Sequence, residues 1–124
     1  MLGQTAYVKP LGVHHVSINV DDVSAAVAFY TDALGFRRRN DRPNFGFDGA
    51  WLDAGDQQLH LIAGAVPTGV GQHFAVRVAD LDAVVAELRD KALSVSDPKA
   101  VGSGRQAFVT DPAGNLVELH EVGN

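Results

Sequence analysis

Apolar and polar residues alternate most regularly between Val13 and Val20, which predicts a β-strand with two unlike faces. One face is apolar, and the other carries side chains that can bind ligands: Val16, Ile18 and Val20 against His15, Ser17 and Asn19. Apolar residues then recur at intervals of three and four over residues 23–34, which predicts an amphipathic helix. Asp22 can accept the free amides at its start, and Gly35 can end it in a left-handed conformation.

The same strand and helix pattern returns later in the chain, shifted by 58 residues. His15 then corresponds to His73, and Asp22 corresponds to Asp80. A second amphipathic helix is predicted over residues 81–92. One position does not repeat, because Leu93 stands where the first copy has its glycine. The repeat indicates that the chain contains two copies of one folding unit.

Each copy continues with three further strand patterns, which are separated by turn-forming residues. The predicted strands cover residues 36–40, 45–53 and 57–63 in the first copy and residues 93–96, 105–110 and 116–122 in the second. We therefore predict two βαβββ modules, at about residues 11–63 and 71–122, joined by a linker at residues 64–70. Neither module can bury its apolar face alone. Residues 1–124 are thus expected to form one α+β domain, with a curled mixed sheet around a central site and the helices outside.

Composition narrows the class of protein. The 124 residues carry a formal net charge of −5, which argues against binding to nucleic acid or to an acidic membrane surface. Cysteine is absent, which excludes disulfides, thiolate metal ligands and a cysteine nucleophile. The chain shows neither the pattern of a signal peptide nor an apolar run of membrane-spanning length, so we expect a cytoplasmic protein.

Four potential metal ligands occupy only two kinds of position in the duplicated unit. They lie on the first and last strands of each module: His15, His60, His73 and Glu118. A single strand histidine is more often a hydrogen-bonded residue than a ligand, but equivalent positions in two copies should converge near a pseudo-twofold axis. Imidazole and carboxylate without sulfur suit one divalent metal per site, which the sequence leaves open among Zn, Ni, Co, Mn and Fe.

Several longer stretches resemble the vicinal oxygen chelate superfamily, which contains glyoxalase I, bleomycin and fosfomycin resistance proteins, methylmalonyl-CoA epimerase and extradiol dioxygenases. The matching stretches are HHVSINVDD, AFYTDALGF, HFAVRVADLDAVVAELR and DPAGNLVELHE, which together span most of residues 12–122. Two more, RPNFGFDGAWL and LHLI, look most similar to glyoxalase-I-like proteins. The resemblance implies that the four residues on the first and last strands are the metal ligands.

The resemblance also implies a reaction. It favours a metal-dependent lyase or isomerase of the glyoxalase type, acting on a small α-oxygenated carbonyl compound or thiol adduct. Glu118 matches the carboxylate that moves the proton, and His60 stands where glyoxalases usually have a second glutamate. Glutathione contacts are not matched, since Asn19 replaces an arginine and Gly64 replaces an asparagine. The alternatives are a metal-dependent thiol transferase, an antibiotic-binding resistance protein and, below these, an extradiol dioxygenase.

Several other side chains are candidates for substrate contacts: Ser17, Trp51, Arg77, Arg105 and His120. Arg77 shares the predicted inner face with His73, although a structural salt bridge explains it equally well. Trp51 lies near other aromatic residues, for which core packing is the commoner explanation. Strand alternation turns His14 away from His15, so we do not expect His14 to be a ligand.

A homodimer is expected, because each module leaves one sheet edge and one apolar face to cover. In similar proteins, modules from different chains sometimes complete one metal site. The seven-residue linker spans at most about 25 Å when extended, which is enough to reach a neighbouring module in either chain. The sequence therefore leaves open whether each site lies within one chain or between two.

Overall fold

The computed structural model describes residues 9–67 and 71–123. The linker predicted at residues 64–70 therefore lies partly outside the described residues. The first module contains β1 (His15–Val20), α1 (Val23–Ala28), β2 (Arg37–Arg38), β3 (Gly49–Ala54) and β4 (Gln57–Ala63). The second contains β5 (His73–Arg77), α2 (Leu81–Asp90), β6 (Lys99–Val101), β7 (Gly104–Thr110) and β8 (Leu116–Glu121).

The strands of each module form a mixed four-stranded sheet. The strand order is β1-β4-β3-β2 in the first sheet and β5-β8-β7-β6 in the second. The first strand of each module runs parallel to the last, and the other pairs are antiparallel. The predicted α+β class with two βαβββ modules is confirmed. Hydrogen bonding between the described strands divides the predicted curled sheet into two separate sheets.

Strand alternation places the apolar core and the candidate ligands on opposite sheet faces. In β4, Leu59 and Leu61 are buried in the hydrophobic core, at 2% and 1% relative exposure. Val117 and Leu119 occupy the equivalent positions in β8 and belong to the same cluster. The residue between each pair therefore points to the face opposite the core.

Side-chain hydrogen bonds join the two modules. The hydroxyl of Tyr30 donates a buried hydrogen bond of 2.8 Å to Oδ2 of Asp111. Burial, with the neighbouring carboxylate, strongly raises the pKa of the Tyr30 hydroxyl, so it stays a donor. The side-chain amide of Asn115 donates to the backbone oxygen of Asn19 at 2.9 Å. The turn after β7 is thereby held against the first module.

Some predicted element boundaries were wrong. The first helix changes to a wider π-helical turn at Phe29–Ala33, and β3 begins at Gly49 because residues 42–48 form a loop. In the second module the strand predicted at residues 93–96 lies instead at Lys99–Val101. Val95 makes only an isolated bridge to Val109, and the hydroxyl of Ser96 accepts the Phe108 amide that would otherwise extend a ladder.

Candidate metal centre

The first module brings His15 and His60 together on the sheet face opposite the core. His60 lies in register with Ser17 on one side and with Trp51 on the other. Its ring stacks on that of His15, with centroids 3.9 Å apart, and on that of Trp51, with centroids 4.4 Å apart. The His60 imidazole is therefore held between two other rings.

Hydrogen bonds and burial define the state of this pair. Nε2 of His60 lies 2.9 Å from the side-chain oxygen of Gln58, to which it can donate. Burial, and then the nearby His15, lower the pKa of His60, which favours the neutral imidazole that binds metals. His14 does not turn away from His15 as predicted, because its Nδ1 lies 2.9 Å from Nδ1 of His15. That His14 is not a ligand stays a prediction. His14 precedes the first residue of β1, so strand alternation does not govern its direction.

The second module brings His73 and Glu118 together at the equivalent positions. Nε2 of His73 lies 3.1 Å from Oε1 of Glu118, and Nδ1 of His120 lies 2.9 Å from Oε2. Nδ1 of His73 also lies 2.8 Å from the backbone oxygen of Gly71. That carbonyl, with a contribution from Glu118, raises the pKa of His73. Both oxygens of one nearly buried carboxylate are thus held by imidazoles.

The donor chemistry of these two pairs fits a divalent metal. Imidazole nitrogen and carboxylate oxygen are the ligands of zinc and of the other transition metals named above. The structure joins His15 with His60 and His73 with Glu118, but in residues 9–67 and 71–123 no three or more such side chains are arranged so that they could hold a metal ion together. Each pair is therefore half of the predicted four-ligand set.

Three of the five predicted substrate contacts lie beside the ligand pairs. Ser17 and Trp51 flank His60, and His120 contacts Glu118. Arg77 is exposed and forms no salt bridge within the described residues. The prediction for Arg105 is not supported by its contacts. Its guanidinium binds both oxygens of Asp82 on α2 and the carboxylate of Glu121, so it is turned towards the helix and away from Glu118.

Two residues missed by the sequence analysis belong to this region. His14 contacts His15, and Phe108 lies in register with Glu118 and meets the His73 ring edge-on at 5.8 Å. Phe108 corresponds to Trp51 in strand register, since each faces the candidate ligand of the last strand. The 58-residue shift carries Trp51 onto Val109 instead, so the sequence repeat alone did not indicate Phe108. We call each ligand pair, together with the side chains that contact it, a half-site. All five histidines of the chain lie in the two half-sites.

Comparison with known proteins assigns the family. Residues 12–119 match the model of the Glyoxalase/Bleomycin resistance protein/Dioxygenase superfamily. The chain belongs to this superfamily, as the resemblance of its motifs indicated. The described part of the chain contains no helix that is both long and apolar enough to cross a membrane.

The proteins to which the chain is similar differ in their described functions. The chain is 30% identical over 124 residues to lactoylglutathione lyase GLX1 of Arabidopsis thaliana, in a match that covers 88% of this chain and 44% of that protein. A second Arabidopsis relative is 31% identical, and the match covers 35% of its length. The chain thus spans less than half of either relative. The solved structure of TnmS3, an antibiotic binding protein from Streptomyces, is 28% identical with a TM-score of 0.81, and the match covers 94% of this chain and 100% of TnmS3.

Proposed function

We propose that this protein is a divalent-metal-dependent lyase or isomerase of the glyoxalase type. Its substrate would be a small α-oxygenated carbonyl compound or thiol adduct. The observation that carries the proposal is the equivalence of the two ligand pairs, His15 with His60 and His73 with Glu118, on the same strands of two repeated modules. The identity to lactoylglutathione lyases supports it.

We further propose that the pairs meet between two copies of the chain. His15 and His73 are both exposed on their sheets, and the described residues of one chain join ligands only in pairs. In a twofold dimer, the first module of one copy can face the second module of its partner, which completes two identical four-ligand sets. The exposed apolar side chains of Leu11 and Val13, just before His15, are available for such an interface.

The proposed roles follow from the chemistry of the residues. A bound metal would polarise the two oxygens of the substrate and so acidify the hydrogen on the carbon next to the carbonyl. Glu118 would take the proton from that carbon and return it to its neighbour, while His73 and His120 orient its carboxylate. His60 would be the fourth ligand. Its lowered pKa keeps the imidazole neutral. Because Nε2 can donate to Gln58, one ring nitrogen is left, which would bind the metal or, when it is not bound to the metal, accept a proton on the other side of the substrate.

The thiol portion of the substrate is proposed to differ from glutathione. The side-chain amide of Asn19 donates to the backbone oxygen of Ala65 at 2.9 Å, and so is used within the fold. A Cβ at Gly64 would lie 3.4 Å from that same amide. The two positions that depart from the glutathione-binding pattern therefore pack against each other instead of facing a ligand.

Metal analysis of protein purified without an affinity tag tests the site directly. We expect His73→Ala to lower metal content strongly, because it removes one ligand of the set. Lys99→Ala, at an exposed position of β6, serves as the control and should keep the metal. Equal metal content in wild type and His73→Ala, measured by atomic emission, would contradict the assigned site.

Deuterium exchange then tests the reaction. In deuterated water, the wild-type protein should exchange the proton at the α-carbon of small α-hydroxycarbonyl compounds or hemithioacetals, as followed by NMR.

The second candidate function is antibiotic binding without turnover, which the similarity to TnmS3 and the aromatic residues around Trp51 favour. Binding of a compound without exchange at any of its α-carbons would support that second function and reject the lyase.

A further inference from the structure

The loop between β2 and β3 builds a cleft beside the first ligand pair. We name it the aromatic cleft. It encloses about 160 Å³ and is formed by Arg42, Phe45, Phe47 and Trp51, with Ser17 and His60 at its inner end. Phe45 and Phe47 are 47% and 51% exposed, although large aromatic side chains are usually buried. The cleft therefore presents aromatic surface to solvent next to a candidate reaction centre.

The loop that carries the cleft is held in shape by its own contacts. The side-chain oxygen of Asn44 accepts a 3.0 Å hydrogen bond from the amide of Gly46, whose positive φ of 82° suits glycine. The rings of Phe45 and Phe47 are nearly parallel, 18° apart, with centroids separated by 5.5 Å. Phe45 also lies 6.1 Å from the Trp51 ring. The aromatic surface is thus largely formed before any ligand arrives.

Arg42 supplies a positive charge that the described residues do not neutralise. Its guanidinium carbon lies 5.1 Å from the Phe45 ring centroid and 5.4 Å from that of Phe47. One guanidinium nitrogen donates to the Phe47 backbone oxygen at 3.0 Å. No carboxylate pairs with Arg42 in residues 9–67 and 71–123, whereas the neighbouring Arg39 binds both Asp41 and Asp53.

Glycine at position 49 makes this placement of Arg42 possible. A Cβ there would lie 2.9 Å from a guanidinium nitrogen of Arg42 and 2.4 Å from the Leu61 backbone oxygen. The guanidinium is therefore packed over bare backbone at the start of β3, which fixes it at the rim of the cleft. A fixed cation beside exposed rings attracts a ligand that combines a flat π surface with negative charge.

We propose that the aromatic cleft binds a flat aromatic ring that carries a carboxylate or another anionic group. The ring stacks on the exposed aromatic side chains, and the anion pairs with Arg42. This deepens the proposed function and rests on it in one respect: the aromatic anion would be the non-reacting part of the substrate, held beside His60. The second module offers only Phe108 at the position of Trp51, so each chain has one such cleft among its described residues.

The only tryptophan of the chain lies in this cleft, so its indole N–H resonance reports on binding there. We would titrate metal-free, chelator-treated protein with benzoate, cyclohexanecarboxylate and benzyl alcohol and follow that resonance by NMR. Benzoate should shift it and saturate, with an affinity about 10-fold or more above either analogue, which lacks the ring or the charge. Equal affinity for all three, or no shift with benzoate, would overturn the proposal.

Matched arginine variants separate a specific contact from general attraction. Arg42→Gln should reduce the affinity for benzoate to that for benzyl alcohol, and Arg42→Lys should restore part of the difference. Arg38→Gln makes the same charge change at an exposed position of β2 and should leave benzoate affinity unchanged. Equal weakening by Arg38→Gln and Arg42→Gln would reject the assigned role of Arg42.

A change in one aromatic residue tests the cleft independently of charge. Phe47→Leu should weaken benzoate binding and leave cyclohexanecarboxylate binding unchanged, provided that the variant keeps the dispersed NMR spectrum of the wild type. If Phe47→Leu unfolds the protein, Phe45→Leu gives the same test at the neighbouring ring. Saturable benzoate binding, together with no exchange in the deuterium assay on α-hydroxycarbonyl compounds and hemithioacetals, would reject the lyase and keep the cleft. Exchange without benzoate binding would keep the lyase and reject the cleft.

Discussion

The two half-sites occupy the same register positions in their sheets and differ in chemistry. In the first module, His60 lies between two other rings and is nearly buried, with a lowered pKa. In the second, the equivalent residue is Glu118, whose two oxygens are held by His73 and His120. The repeated fold thus supplies the same backbone positions twice, and the two modules differ in the side chains that they place there. The second module carries the carboxylate that we propose as the proton acceptor, and the first carries aromatic surface.

Removing the acidic side chain of the second module should have the largest effect. Glu118→Gln keeps an oxygen that can bind metal but removes the proton acceptor, so activity should fall about 10²-fold or more while some metal remains. Turnover and metal content should be measured on the same preparation. His60→Gln is the matched change in the first module, and we expect it to affect metal affinity more than proton transfer. An unaltered rate for Glu118→Gln would exclude it as the base.

Mixing inactive chains tests whether one module of each chain completes a shared site. His15→Ala damages only the first half-site, and His73→Ala damages only the second. If sites form between copies, an equal mixture refolded together should recover about a quarter of wild-type activity, because half of the dimers are mixed and each has one intact site. If each site is built within one chain, no activity returns. Light scattering at micromolar concentration should show a dimer and not a 13.1 kDa monomer.

In the metal-free protein, the pKa values of His73 and His60 should be shifted in opposite directions from the usual value for histidine. The pKa of His73 is raised, chiefly by the Gly71 carbonyl, and that of His60 is lowered, chiefly by burial. Protonated His73 therefore stabilises the fold at low pH, and this contribution is lost as the pH rises through its folded pKa. Protonation of His60 destabilises the fold as the pH falls below the unfolded value of about 6.5.

Proton NMR of the imidazole rings can separate these two titrations. His73 should titrate at a higher pH than His60. Glu118→Gln should lower the pKa of His73 only in part, because the Gly71 carbonyl remains. The reverse order of the two pKa values would contradict the structural comparison.

The smallest effect concerns the ends of the two helices. After the first helix, the chain turns at Gly35, whose φ is 73°. After the second helix it turns at Ala92, whose φ of 64° is a left-handed conformation that is unfavourable for alanine. Ala92→Gly should therefore raise the free energy of unfolding by about 1 kcal/mol or less. Ala86→Gly, at an exposed position within α2, should lower it by about 1 kcal/mol. Urea unfolding of both variants measures the difference, and destabilisation by Ala92→Gly would contradict the assigned strain.

Local patterns carried most of the fold information. Alternation in β1 and β4, helical spacing after Asp22 and Asp80, and the 58-residue repeat together predicted the two βαβββ modules. Prediction failed where a local signal competed with tertiary contacts. Val95 is apolar and buried, but the hydroxyl of Ser96 accepts the hydrogen bond of the Phe108 amide. Regular pairing of β6 with β7 begins only at Lys99. Residues 45–48 alternate like a strand, yet the Arg42 and Asn44 contacts hold them as a loop.

The sequence by itself determined which side chains share a sheet face, because the period of a strand is set by the backbone. The repeat further determined that His15 and His73, and likewise His60 and Glu118, occupy equivalent positions. Only the tertiary structure decided which of these side chains meet. Parallel pairing of β1 with β4, and of β5 with β8, joins each histidine to the last strand of its own module. Tertiary packing also decided that Arg105 faces Asp82 on α2, since side-chain contacts between distant elements are set by how the elements pack and not by local periodicity.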